Sequence, residues 1–140
     1  MPIHTTEIRP LFADTDTAGV VYYGTMLRYL EEARTQAVES VGLVISEEFE
    51  QGYLYPVTHI DINYQGPARY GQVLCVTTEV TEIRRVRFRL DHRMYEKGSE
   101  AAVGRAMVWL ACVDLDTRRP RRLSPRMAEA LTTLTARSME

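Results

Sequence analysis

Two carboxylates stand two positions apart in the run Phe12-Ala13-Asp14-Thr15-Asp16-Thr17-Ala18-Gly19-Val20-Val21-Tyr22-Tyr23-Gly24, just ahead of a stretch with helical periodicity. A helix start offers unpaired backbone N–H groups and the positive end of the helix dipole, so it can hold a developing oxyanion. A carboxylate beside it can attack a carbonyl carbon or take a proton from water. The combination suits acyl-transfer or hydrolytic chemistry. Calcium does not suit the loop: counted from Asp14, the fifth and twelfth positions are Ala18 and Thr25, where an oxygen ligand and a bidentate Glu are required. A D-x-D phosphatase needs magnesium-binding acids and a downstream lysine in a parallel α/β fold, whereas this chain has a single lysine, Lys97. No C-x-x-C spacing exists either, so we expect neither a metal nor an organic cofactor.

The elements that must position this loop are legible on both sides of it. From about Tyr22 to Val41 the apolar set Met26, Leu30, Ala33, Ala37 and Val41 recurs at helical spacing, with Arg28, Glu31, Glu32, Thr35, Gln36 and Glu39 opposite. Gly42 stops that helix. Residues 5–12 read as a strand that delivers the chain into the loop. Four further strands are predicted at 57–64, 73–83, 86–95 and 101–114, while the stretch around Ser46 to Tyr55 carries no clear pattern. In the third, Val86, Phe88, Leu90, His92 and Met94 alternate with charged residues and Tyr95, so one face is buried and one is wet. Lys97-Gly98 gives a tight turn into the last strand, Gly66-Pro67 and Gly71 punctuate the earlier crossing, and short connections make neighbouring strands antiparallel. Ser124-Pro125 caps and opens a last helix through about Ala136. A helix of ~20 residues is about 30 Å long and a ten-residue strand about 33 Å, so the helix can lie lengthwise across the sheet. One helix covers one face; the other face and an edge strand call for loops or a second subunit.

With 140 residues, 45% hydrophobic and 26% charged, the chain reads as one domain, 1–140. A net charge of −2 and a pI near 5.9 supply no global drive towards nucleic acid or an anionic membrane. No apolar run approaches the ~18 residues of a membrane span, and Met1–Glu7 has no secretory character, which makes the cytoplasm the expected compartment. Cys75 and Cys112 lie in apolar strands and read as buried free thiols. Arg118-Arg119-Pro120-Arg121-Arg122 reads as a soluble connector, His4 as frayed, His92 as buried, and Tyr22, Tyr23 and Tyr64 as core, with the lining of an acyl or aromatic pocket as the alternative. Glu31 and Glu32 read as solvent or subunit contacts.

Three segments together resemble a known family: Asp14–Tyr22 (D-T-D-T-A-G-V-V-Y), Leu27–Thr35 (L-R-Y-L-E-E-A-R-T) and Tyr64–Gly71 (Y-Q-G-P-A-R-Y-G). They are similar to the signature of the 4-hydroxybenzoyl-CoA thioesterases and YbgC-type acyl-CoA thioesterases. The resemblance implies an α+β hotdog fold, in which a curved antiparallel sheet of about five strands wraps a long central helix. It implies hydrolysis of a small acyl- or aroyl-CoA to free acid and CoA, by a homodimer or homotetramer whose sites draw on both subunits. Asp16 is then the catalytic carboxylate, as nucleophile or general base, the Tyr23 backbone N–H polarises the thioester carbonyl, and Asp14 is structural. Arg84-Arg85 matches an Arg pair that the hydroxybenzoyl-CoA enzymes place beside the nucleotide; a solvated turn is the alternative. His59, mid-strand between Thr58 and Ile60, joins them as a substrate- or CoA-binding candidate, although a lone strand histidine is more often structural. The chain departs from the YbgC-like pattern at Tyr23, where histidine is frequent, so that imidazole's role does not carry over. A non-catalytic hotdog module binding acyl-CoA or acyl-carrier-protein thioesters is the rival reading, and Asp16 argues against it.

Overall fold

The computed structural model describes residues 3–139; the reading of Met1 and Pro2 lies outside them. Its elements are β1 (His4–Ile8), α1 (Met26–Glu39), α2 (Ile45–Glu50), β2 (Tyr53–Leu54), β3 (Val57–Tyr64), β4 (Leu74–Ile83), β5 (Arg87–Glu96), β6 (Ala102–Ala111), β7 (Val113–Asp114) and α3 (Pro125–Ser138). Five strands form one antiparallel sheet in the order β1-β4-β5-β6-β3, and β2 pairs with β7. Ile8 faces Leu74, Phe88 faces Leu110 and Tyr64 faces Gly104 across their ladders. The expected α+β class and strand number are met.

Strand alternation sends Val76, Val80, Phe88, Leu90, Met94, Val108 and Leu110 to one face, where they form the core with α1. The helix answers with Met26, Tyr29, Leu30, Ala33, Ala37 and Val38. Its small residues let the backbone approach the sheet, while each buried Leu contributes about 1.5–3 kcal/mol. α3 adds Met127, Ala130, Leu131 and Leu134 beside α1. The opposite sheet face carries Asp61, Asn63, Glu79, Asp91, Arg93 and Arg105 around a shallow concavity. No element among the described residues covers it, and β3 is a long open edge.

Several boundaries differ from the sequence reading for local reasons. β1 ends at Ile8 instead of running to residue 12, because Pro10 has no N–H for the ladder and the chain tightens into a 3₁₀ turn at Phe12–Asp14. His4 is not frayed; it pairs with Thr78 inside that ladder. A second 3₁₀ turn, Tyr23–Thr25, precedes α1, which is therefore 14 residues long instead of about 20. Gly42, at φ +94°, follows its end, and the Leu43 N–H returns to the Val38 carbonyl at 3.1 Å. The unpatterned segment holds α2 and β2. The strand drawn through 101–114 breaks at Cys112 into β6 and β7. Cys75 and Cys112 are buried free thiols.

A buried carboxylate ties α2 to α3. Glu48 of α2 accepts the Tyr55 hydroxyl at 2.6 Å and also the Ser124 hydroxyl, while Ser124 caps α3 by accepting the Met127 N–H at 3.0 Å. Ser124→Ala removes the cap and one donor to a buried charge, so it should cost about 2 kcal/mol or more. Urea unfolding measures this, with Thr132→Ala on the exposed side of α3 as the control at under about 0.5 kcal/mol. Equal losses from the two variants would contradict the role given to the Glu48 cluster.

Candidate active site

The acidic loop is built on Asp14. Its Oδ2 accepts the Leu11 N–H at 2.9 Å and the Tyr29 hydroxyl at 2.6 Å, and its Oδ1 accepts Arg28 Nη2 at 2.5 Å. Burial by itself would raise the Asp14 carboxyl, but the Tyr29 and Leu11 hydrogen bonds and the Arg28 charge together outweigh it and hold it below the ordinary carboxylate value. Burial and the same bond push the Tyr29 hydroxyl up. The loop is thereby clamped to the first turns of α1.

From that anchor the chain folds into a small hairpin. The Tyr22 N–H donates to the Asp14 carbonyl at 2.9 Å and the Asp16 N–H to the Val20 carbonyl at 2.9 Å. Gly19 closes the turn at φ +81°, a conformation that costs other residues dearly. Asp16 itself is exposed. Its Oδ1 accepts the Ala18 N–H at 2.8 Å and the Val20 N–H at 3.4 Å, while Oδ2 has no hydrogen bond among the described residues. The returning arm runs through Val21 and Tyr22 to Tyr23, and the Tyr23 and Gly24 N–H groups have no backbone acceptor among the described residues. A bond from the Val21 N–H to the Ala68 carbonyl at 2.7 Å fixes the hairpin to the 65–71 crossing. That crossing passes tightly over β6, since a Cβ on Gly66 would lie 2.5 Å from the Ala102 carbonyl oxygen.

Aromatic rings surround the arm. Tyr22 and Tyr23 stand 4.5 Å apart, Tyr64 meets Tyr23 edge-on at 6.2 Å, and the Tyr64 hydroxyl donates to the Tyr23 carbonyl at 2.8 Å. These rings are 48%, 63% and 45% exposed for Tyr22, Tyr23 and Tyr64, so the expectation that they are core is corrected. Gly24 makes room for them: a Cβ there would fall 2.7 Å from the Tyr22 ring.

Asp16 and the Tyr23 N–H are thus brought onto the two arms of one hairpin. The remaining candidates are elsewhere. Arg84 and Arg85 occupy the β4–β5 turn at the opposite end of the sheet, on the order of 30 Å away along a ten-residue strand. Arg84 pairs with Glu82 at 2.6 Å and lies over the Trp109 ring at 5.2 Å, whereas the Arg85 side chain has no partner among the described residues. His59 is exposed on edge strand β3, opposite Trp109 and beside a register shift. Within the basic cluster, Arg121 stacks on Tyr53 at 3.7 Å and donates to the Gln51 and Gly52 carbonyls, a structural use. His92 is buried, which pushes it down to about 4. No group of three or more His, Cys, Asp or Glu among the described residues is placed to hold a metal. The sequence reading missed a small cleft between α1, α2 and the sheet that contains Arg34.

Because its pKa is depressed, Asp14 adds stability that is present above the unfolded value of about 3.9 and is lost as pH falls through the lower folded value. Asp14→Asn should cost roughly 2 kcal/mol at pH 7, moderated by the exposure of Arg28, and much less at pH 3. Denaturant midpoints of both proteins across that range test this; a gap that widens on acidification would reverse the assignment.

A sequence profile of the thioesterase-like superfamily matches residues 10–131. The chain is 30% identical over 122 residues to a 1,4-dihydroxy-2-naphthoyl-CoA hydrolase of Synechococcus elongatus, covering 86% of this chain and 88% of that protein. It is 30% identical over 114 residues to the acyl-CoA thioesterase YbgC of Haemophilus influenzae, covering 81% and 82%. Among solved structures, a DHNA-CoA thioesterase from Staphylococcus aureus superposes with a TM-score of 0.90 at 28% identity, over 97% of this chain and 93% of that one. The matched span takes in the acidic hairpin, α1 and the 65–71 crossing, and the fold is the hotdog fold; the chain belongs to the thioesterase-like superfamily.

Proposed function

We propose that the protein hydrolyses a small acyl- or aroyl-CoA thioester to free acid and CoA. The observation that carries this is the uncommitted Asp16 Oδ2 on the hairpin arm facing the one that ends in two unused N–H groups. The relatives' names, which specify CoA thioesters, support it. The thioester carbonyl oxygen accepts the Tyr23 N–H, so negative charge that develops on it is met by a fixed donor and the helix dipole. Asp16 then attacks the carbonyl carbon, expelling CoA as thiolate and leaving a mixed anhydride for water to cleave, or it takes the proton of a water that attacks instead. Both routes need the same placement. Asp16→Asn keeps the shape and removes the charge, so kcat should fall by about a hundredfold or more with the unfolding midpoint unchanged. Wild-type turnover by that variant on its best acyl-CoA would remove Asp16 from the mechanism, and no turnover by the native protein would favour the binding-module reading.

The working unit in this proposal is a homodimer, or a tetramer made from two. Antiparallel pairing of two β3 edges about a two-fold axis would set the Arg84–Arg85 end of one sheet beside the acidic hairpin of the other. It would also cover Tyr22, Tyr23 and Tyr64. Arg85, with Arg84 behind it, then meets the phosphates of CoA, and His59 lies along the same seam. The free buried thiols suit a reducing compartment, and we take the cytoplasm as its location. Replacing both arginines with alanine should raise KM several-fold for a full acyl-CoA and much less for the matching acyl-pantetheine, an effect that shrinks in added salt. Equal changes for both substrates, or an active monomer in light scattering, would count against this arrangement.

A further inference from the structure

The cleft under α1 and α2 has a volume of about 140 Å³ and is lined by Val38, Phe49, Tyr55, Phe88 and Leu90 around one cation, Arg34. An apolar cavity of about 150 Å³ accommodates a benzene ring, so this one takes a single ring or a short branched chain. Its aromatic lining favours the ring.

Arg34 is at odds with those surroundings. Arg28, Arg84, Arg89, Arg121 and Arg126 each have a carboxylate within ion-pair distance. Among the described residues Arg34 has neither an ion pair nor a hydrogen bond, although its side chain is partly buried and that burial lowers its pKa against the opposing charge of Glu31. A guanidinium that has given up water without gaining an anion is a standing cost to the fold. Its neighbours relieve it only in part. Glu31, one turn earlier on the same helix, is exposed at the cleft mouth. His92 lies close enough for the Arg34 charge to add to its depressed pKa, and it is neutral at pH 7. Its Nδ1 stands 2.9 Å from the Thr77 carbonyl, so it donates there, and its Nε2 is left as a buried acceptor without a partner.

We propose that Arg34 is a specificity-determining residue that pairs with an anionic substituent, such as a carboxylate, on the acyl group occupying this cleft. The inference rests on the thioesterase reading and the two-fold pairing above, since Phe88 and Leu110 place the cleft at the Arg84–Arg85 end of the sheet, which that pairing sets beside the acidic hairpin of the second copy. Because the folded chain already bears the desolvation of the guanidinium, an anionic acyl group gains a charge-assisted, bidentate contact without a further penalty on the protein side. A neutral ring of the same size leaves the cation unpaired, and sites built around a buried polar group reject substrates that fail to satisfy it.

The test compares 4-carboxybenzoyl-CoA with 4-methylbenzoyl-CoA, rings of similar size that differ in charge. The native protein should favour the carboxylated substrate at least tenfold in kcat/KM. Arg34→Met should bring that ratio to about one, mainly through KM, and Arg34→Lys should restore part of it. Dissociation constants on the Asp16→Asn background give the same ratio without turnover, so a protein that binds with the expected preference but never hydrolyses sinks the thioesterase reading and leaves Arg34 standing. A native ratio near one would overturn the inference. So would an equal loss on both substrates, or a change of mass in light scattering on Arg34→Met, since the guanidinium would then be serving the fold or a second copy of the chain.

Discussion

The Asp14 carboxylate sits out of water between the end of β1 and the start of α1, and it is tolerated there because three donors from two places in the chain converge on it. The Leu11 N–H comes from the loop, the Tyr29 hydroxyl from the buried face of the helix, and the Arg28 guanidinium from its exposed side. A charge satisfied this way permits one arrangement of the loop and penalises the others, because any displacement strands a buried anion. Everything downstream inherits that choice. The Asp14 carbonyl opens the hairpin by taking the Tyr22 N–H, Asp16 follows two residues later on the same arm, and Tyr23 continues the other.

A second constraint comes from the length of the sheet. Ten-residue strands separate the acidic hairpin from the β4–β5 turn by the full height of the domain, so no side-chain motion within one chain brings Arg85 to Asp16. Under the proposed function the two ends meet only across a two-fold axis. The open β3 edge and the three exposed tyrosines at its end are the features that such an axis would use. An isolated chain leaves these groups solvated, which is costly for a β edge and for contiguous aromatic surface.

Legibility in the sequence followed the strength of the period. Leu30, Ala33 and Ala37 mark the buried stripe of α1 because a helix that crosses a sheet must repeat its contact every turn, and the alternation from Phe88 to Met94 marks β5 for the equivalent reason. The β3 bounds at 57 and 64 were readable from the flanking Pro56 and Gly66. The 3₁₀ turns and α2 were not, since three to six residues carry too little period to distinguish from a loop, and α2 depends on Glu48 reaching Tyr55 and Ser124, which are distant in sequence. The D-x-D spacing announced a site, but spacing could not say which carboxylate is spent on the fold. Residue type misled at Tyr22, Tyr23 and Tyr64, because their exposure is a property of the surface and not of the side chain. Arg34 looks in sequence like any solvated helix charge; the signal that sets it apart is the lack of a partner, which needs coordinates.

That lack of a partner contrasts with the two buried carboxylates. Asp14 and Glu48 are both buried carboxylates, each given a tyrosine hydroxyl at 2.6 Å and further donors, and each fixes a loop-to-helix junction. These two carboxylates, committed to structure, are therefore bonded here, even where burial makes that demanding. Among the described residues Asp16 Oδ2, the Tyr23 N–H and the Arg34 guanidinium have no bonding partner, although the same chain shows it can supply donors and acceptors to such groups. Asp16 and Tyr23 are exposed, so water serves their free groups, but Arg34 is partly buried: if it served folding alone, a substitution that pairs or removes it would stabilise the protein, as relief of an unsatisfied polar group does. Under the proposed function the three are left for an acyl group, a carbonyl oxygen and an anion, because each contact withheld from the fold is available to the ligand.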